Sequence, residues 1–272
     1  MSTEALISQN KDRPNLLYSK EKLLKLYGID LFSAVSSAAL VSPFIAVVDR
    51  SIIENLNGKR NLMDGLKYGF RSFTAQPFKF VSSAQFRIVL GLYFSTYATA
   101  NFVDTTCEQY SIEGTKTAMY KFISTTAVNI TLCVYKDKVF ARMFGVAATR
   151  ALPKLSYLLF AARDSLTIAA SFTAPSYIAN ILQNSSLVSS EKTANVVSQL
   201  ICPAAVQFVS TPVHLFALDI YNRPGIMSSM RYQLIRKEYL KSTFARIGRI
   251  GPAFGFGGVG NTYFRSFRNQ IQ

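Results

Sequence analysis

Charge is scarce in this sequence, and acidic charge most of all. Only 17% of the 272 residues are charged, against about 25% in ordinary globular proteins. Lysine and arginine number 30 and aspartate and glutamate 15, a net charge of +15. There is one histidine, His214, and there are three cysteines, Cys107, Cys133 and Cys202. An odd, widely spaced trio supports neither a disulfide framework nor a metal site. Each lies in or beside an apolar run, where free cysteine acts as a small hydrophobe. The N-terminus has no secretory h-region, and its acids (Glu4, Asp12) make it a poor cleavable transit peptide, so any targeting signal is expected to be internal. No nucleophile–base pair, metal cluster or phosphate loop is present, so no enzyme, no cofactor and no metal is expected.

Apolar sequence is abundant. Hydrophobic residues make up 49% of the chain, and the mean hydropathy is positive. The basic residues lie between apolar runs, with no RNP, zinc-finger or basic-helix motif, so nucleic acid is not an expected partner. The pattern is that of an all-α membrane protein. The stretch 244–264 has no charge after Arg249 and holds glycines at 251, 255, 257, 258 and 260. Glycine at this density suits a membrane helix pressed against neighbours, and Gly251 and Gly255 form a GxxxG pair. Gly255 to Gly260 also spells GxGxxG, but no strand precedes it and no acid follows, which excludes a dinucleotide site.

Part of this stretch recurs. Arg249-Ile250-Gly251-Pro252 parallels Arg150-Ala151-Leu152-Pro153, with a weaker copy at Val81-Ser82-Ser83-Ala84. Each leads into an apolar run, which points to a threefold internal repeat. Six spans follow: 29–55, 78–106, 116–144, one starting near 147, 193–218 and 244–264. Residues 1–28 read as a polar surface tail with an amphipathic piece at 20–26. Residues 57–60 form a turn. Residues 61–73 and 227–241 read as basic amphipathic helices at a membrane surface. The expected fold is six transmembrane helices in three pseudo-repeated pairs: 29–110, 111–186 (short) and 187–272.

This layout resembles the mitochondrial carrier family (solute carrier 25). Its even-helix pattern, Arg-x-x-Pro-x-x-Ala-Ile-x-Phe-x-x-Tyr, is met in its early part at Arg150–Pro153 and Arg249–Pro252, and in its later part at Ile88 and Tyr93. The odd-helix signature, Pro-x-Asp/Glu-x-x-Lys/Arg, is not met: Pro43 is followed by Ile45 and Val48, and Pro212 by His214 and Ala217. The resemblance implies a substrate cavity lined by Val81 with Ser82, Arg150 with Ala151, and Arg249 with Ile250. Paired arginines imply an anionic metabolite, unless both reach lipid phosphate instead. Arg87 joins that set as a charge inside a span, and Arg163-Asp164 is a second such site, with a structural ion pair as the plainer alternative. Asp49, Arg50, Asp137, Lys138, Asp219 and Arg223 are the candidate gate network, or else helix-end charges. His214 is expected to make a helix-to-helix hydrogen bond in preference to carrying a proton or substrate. The implied protein is a multi-pass transporter of a mitochondrial membrane, inner rather than outer, in contact with anionic lipid such as cardiolipin. The rival expectation is a carrier-fold scaffold, insertase or fusion-type factor that no longer transports.

Overall fold

A computed structural model describes residues 17–145, 151–172, 174–185, 188, 190–249 and 252–271. Among these the regular elements are all helical. The first helix, α1 (Lys20–Leu56), begins where the Ser19 side chain accepts the Lys22 N–H at 3.3 Å. It therefore takes in residues 20–28, expected as surface tail, and buries Leu26 and Asp30. Its 37 residues span about 55 Å, well beyond a hydrocarbon core of about 30 Å. Small buried residues (Ala34, Ser37, Ala38, Ser42) let α1 pack closely along α4 (Ala84–Gln109).

The 57–60 turn forms as expected, with Gly58 at a φ of +69°. Helix α2 (Leu62–Ala75) then lies on α1. Gly65 sits over Ser51, and a Cβ at Gly69 would stand 2.5 Å from Val47 Cγ1. The two glycines thus set how closely α2 approaches. The expected span 78–106 is broken into α3 (Pro77–Val81) and α4, because the Ser83 hydroxyl accepts the Phe86 N–H and starts a new helix.

Helix α5 (Thr115–Phe144) matches its expected span. Helices α6 (Lys154–Phe172) and α7 (Ala174–Asn184) replace the fourth. The run expected at 193–218 divides at Val206 into α8 (Glu191–Ala205) and α9 (Gln207–Asn222), with Pro203 and Pro212 inside them. Each proline removes a backbone donor. Helix α10 (Ser228–Gly248) outruns its expected end at 241 and absorbs the start of the glycine-rich stretch. What remains of that stretch is a wide π-helical coil, Pro252–Val259, followed by α11 (Gly260–Arg265) and a 3₁₀ turn, Ser266–Gln270. Gly257 lies against Tyr97 and Val41, where a Cβ would not fit. Gly251 of the expected GxxxG pair lies outside the described residues.

The helices pack in sequence: α1 on α4, α4 on α5, α5 on α6, α6 on α9, α9 on α10, and α10 back on α1. The final coil and α11 also lie along α1. Two stretches are long and apolar enough to cross a membrane, Lys20–Leu56 and Val197–Asn222. Cys107 and Cys202 are buried and Cys133 half-buried, all as free thiols.

Candidate functional site: two polar layers along the bundle

Polar side chains gather at two levels, about 28 Å apart along α1 (Asp30 to Asp49) and about 22 Å apart along α5 (Lys121 to Lys136). At the first level Arg265 of α11 is the hub. Its Nε donates to Asp30 at 2.9 Å and its Nη1 to Asp104 at 2.8 Å. Lys121 donates to the same Asp104 carboxylate at 2.7 Å. Arg268 pairs with Glu108, one turn beyond Asp104 on α4. The carboxamides of Asn101 and Asn261 exchange hydrogen bonds at 3.0 and 2.9 Å. Thr105 donates to Asp30. Beside this cluster opens a cavity of about 730 Å³, lined among others by Tyr97, Asn101, Asp104, Glu108, Lys121 and Arg265.

The second level is drier: among its ion-paired side chains only Arg249 keeps more than 9% of its surface. Asp49 of α1 accepts from Lys136 of α5, and from Arg249 at 2.6 Å. Lys136 lies 3.1 Å from Asp137. Arg163 of α6 donates to Asp137 at 2.6 Å and to Asp164. Its Nη1 lies 2.9 Å from His214 Nδ1 on α9. Guanidinium can only donate, so Nδ1 is an acceptor here and the imidazole carries its proton on Nε2. Three carboxylates thus face three cations inside the protein. Burial of such charges is tolerated only in this mutually paired form.

The structure joins part of the expected gate to part of the expected substrate site. Asp49 and Asp137 share one network with Arg249, which was expected to line the substrate cavity. Arg50 instead pairs with Glu54 at 2.8 Å, and Lys138 lies over the Tyr157 ring. Asp219 holds Arg223 and also Arg231, in a separate cluster. Val81, Ser82, Arg87 and Ala151 are exposed, apart from both polar layers. Arg150 and Ile250 lie outside the described residues. Arg163-Asp164 proves to be an interhelical ion-pair site, and His214 makes the helix-to-helix bond that was expected of it.

Sequence reasoning missed Lys136, because Asp137 has a lysine on either side and nothing in the sequence distinguishes Lys136 from Lys138. It also missed the whole Arg265 layer. A signal was present: Asp30, Asp104 with Glu108, Lys121 and Arg265 each bracket an apolar run.

No curated protein and no solved structure matches the chain. A protein family does match, over residues 33–268, and its description is probable citrulline exporter. This overturns the resemblance to mitochondrial carriers, and no carrier domain is found. That resemblance rested on short tetrapeptides which any arginine-led, proline-started membrane helix can produce, while the odd-helix signature was missing throughout. The mitochondrial address rested on it, and neither that address nor the threefold repeat read from the recurring tetrapeptides has separate support. With the match covering most of its length, and with helices fit to cross a bilayer, this membrane protein belongs to the probable citrulline exporter family.

Proposed function

We propose that the chain exports a zwitterionic amino acid of the citrulline type, and that the cavity beside Arg265 receives it. The observation that carries this reading is the mixed lining of that cavity: carboxylates Asp104 and Glu108, cations Lys121, Arg265 and Arg268, and carboxamides Asn101 and Asn261. A free amino acid presents an ammonium and a carboxylate together, so it needs acceptors and cations side by side. The uncharged ureido end of citrulline both donates and accepts, as a carboxamide does. The volume, about 730 Å³, lies within the usual range for small-molecule sites, roughly 300–1,000 Å³.

An anionic metabolite is the weaker fit, because Arg249 spends its charge on Asp49. In this reading the chain is a transporter and not an enzyme, and the packed helices make six crossings. The Asp49–Lys136–Asp137–Arg163 layer closes the end of the bundle opposite the cavity. Exposed Arg236, Lys237 and Lys241 on α10 meet anionic lipid headgroups.

The test is efflux of radiolabelled citrulline from proteoliposomes, with ornithine, arginine and a dicarboxylate as competitors. Saturable efflux that Asp104→Asn lowers supports the cavity. Folded wild-type protein that moves none of these solutes would sink the reading and favour a non-transporting scaffold.

A further inference from the structure

The dry layer contains one cation too many. Arg246 of α10 is 1% exposed and forms no ion pair among the described residues. The other buried charged side chains there have a partner of opposite sign: Asp30 has Arg265, Glu54 has Arg50, Asp219 has Arg223 and Arg231, Glu238 has Lys241, and the Asp49–Arg163 layer is balanced within itself. Arg246 has a single neutral partner, donating from Nε to Gln207 of α9 at 3.0 Å, and its Nη2 has no acceptor.

The carboxylates Asp49 and Asp137 act on it from beyond hydrogen-bond reach, each already held by other cations, and along α9 and α10 its neighbours are donors. On α10, Ser242 and Thr243 lie one turn before Arg246 and therefore on its face. On α9, Thr211 lies one turn beyond Gln207. All three hydroxyls are fully buried, and all three are without a hydrogen-bond partner. Helices α9 and α10 pack directly against each other, so the two faces meet in one seam. Burying a guanidinium without its countercharge is among the costliest arrangements a protein can hold. Three orphaned hydroxyls beside it add to that cost. A bound anion removes both, accepting from the guanidinium and the hydroxyls together.

We infer that the α9–α10 seam is a binding site for one small anion, a halide or a carboxylate, held by Arg246 with Thr211, Ser242 and Thr243. It is separate from the cavity beside Arg265. The inference stands on the burial and isolation of Arg246, and only the identity of a carboxylate ligand touches the transport reading.

The experiment is the melting temperature of the purified full chain in neutral detergent and low-salt buffer balanced with sorbitol, titrated with chloride, acetate or citrulline. Wild type should gain about 5 °C at a hundredfold excess over Kd. Arg246→Gln should lose that response, and without anion it should melt no lower than wild type, since a stranded charge has gone. Stabilisation by chloride and acetate that Arg246→Gln loses, with the citrulline response unchanged between the two proteins, identifies a free ion. Stabilisation by citrulline, lost in Arg246→Gln, identifies the carboxylate of the transported solute. Citrulline efflux that survives in Arg246→Gln separates this site from the transport cavity. If none of the three stabilises the wild type in a way that Arg246→Gln loses, the site is overturned, and a citrulline response that alone persists belongs to the cavity beside Arg265. If Arg246→Gln does not fold, equilibrium dialysis of radiolabelled chloride and acetate against wild type decides: one saturable site per chain supports it, and none overturns it.

Discussion

Arg265 and Arg163 each bridge two carboxylates, from opposite ends of the same bundle. The Arg265 side chain keeps 17% of its surface and borders open volume, whereas Arg163 keeps 2% and is enclosed by other side chains. Similar ion pairs therefore do different work. Beside the cavity the Lys121–Asp104 pair, 43% and 16% exposed, is worth little, about 1 kcal/mol or less, so its members can exchange partners with an arriving zwitterion. In the dry layer, removing one member strands its partners at a cost of about 3–5 kcal/mol, and the arrangement acts as a clamp between helices.

The contrast can be broken most severely at Arg163. Arg163→Met leaves Asp137 and Asp164 without their shared cation and should cost about 3–5 kcal/mol, read as loss of folded protein in a detergent melt. Equal stability in that variant would mean the dry layer holds nothing together. Asp104→Asn should do the opposite: stability shifts by about 1 kcal/mol or less, while citrulline efflux falls about tenfold or more, as expected for one lost charge-assisted hydrogen bond. A melt that drops as far as that of Arg163→Met would make the two layers equivalent. Gly69→Val probes the apolar contact of α2 with α1 beside the Asp49 level. Its new side chain meets Val47, and overpacking of about 1–3 kcal/mol should appear in the melt with efflux kinetics kept in the folded fraction. The smallest effect is expected of Arg87→Ala. That exposed residue should change stability by no more than about 0.5 kcal/mol and leave efflux as it was. Lost efflux there would restore Arg87 to the substrate path.

Much of the helical layout was readable in advance. Long uncharged runs with charged ends mark helices whichever way they turn, so α1 and α5 were visible, as were the turn at Gly58 and the amphipathic α2. Boundaries were missed where a local hydrogen bond outweighed hydropathy. Ser83 restarts a helix inside an apolar run, and Ser19 starts α1 within sequence polar enough to pass for a tail. The carrier resemblance failed for a related reason: short proline-led motifs report how a membrane helix begins, which unrelated families share.

The site divides along the same line. That Arg163, Asp164 and His214 would need partners followed from the sequence, because an ionisable group inside an apolar run is too costly to keep without one; Asp49 and Asp137 were singled out as helix-end acids, and Arg249 through the carrier resemblance. Which partner each one takes did not follow. Lys136 and Lys138 are equivalent as letters, yet one turns inward to Asp49 and the other lies over Tyr157. Arg246 and Arg249 stand one turn apart, yet Arg249 meets a carboxylate and Arg246 meets Gln207. Hydropathy placed these charges within or beside apolar runs. Helix rotation and packing, which no single segment encodes, decided which were neutralised, which bordered a cavity and which was left alone.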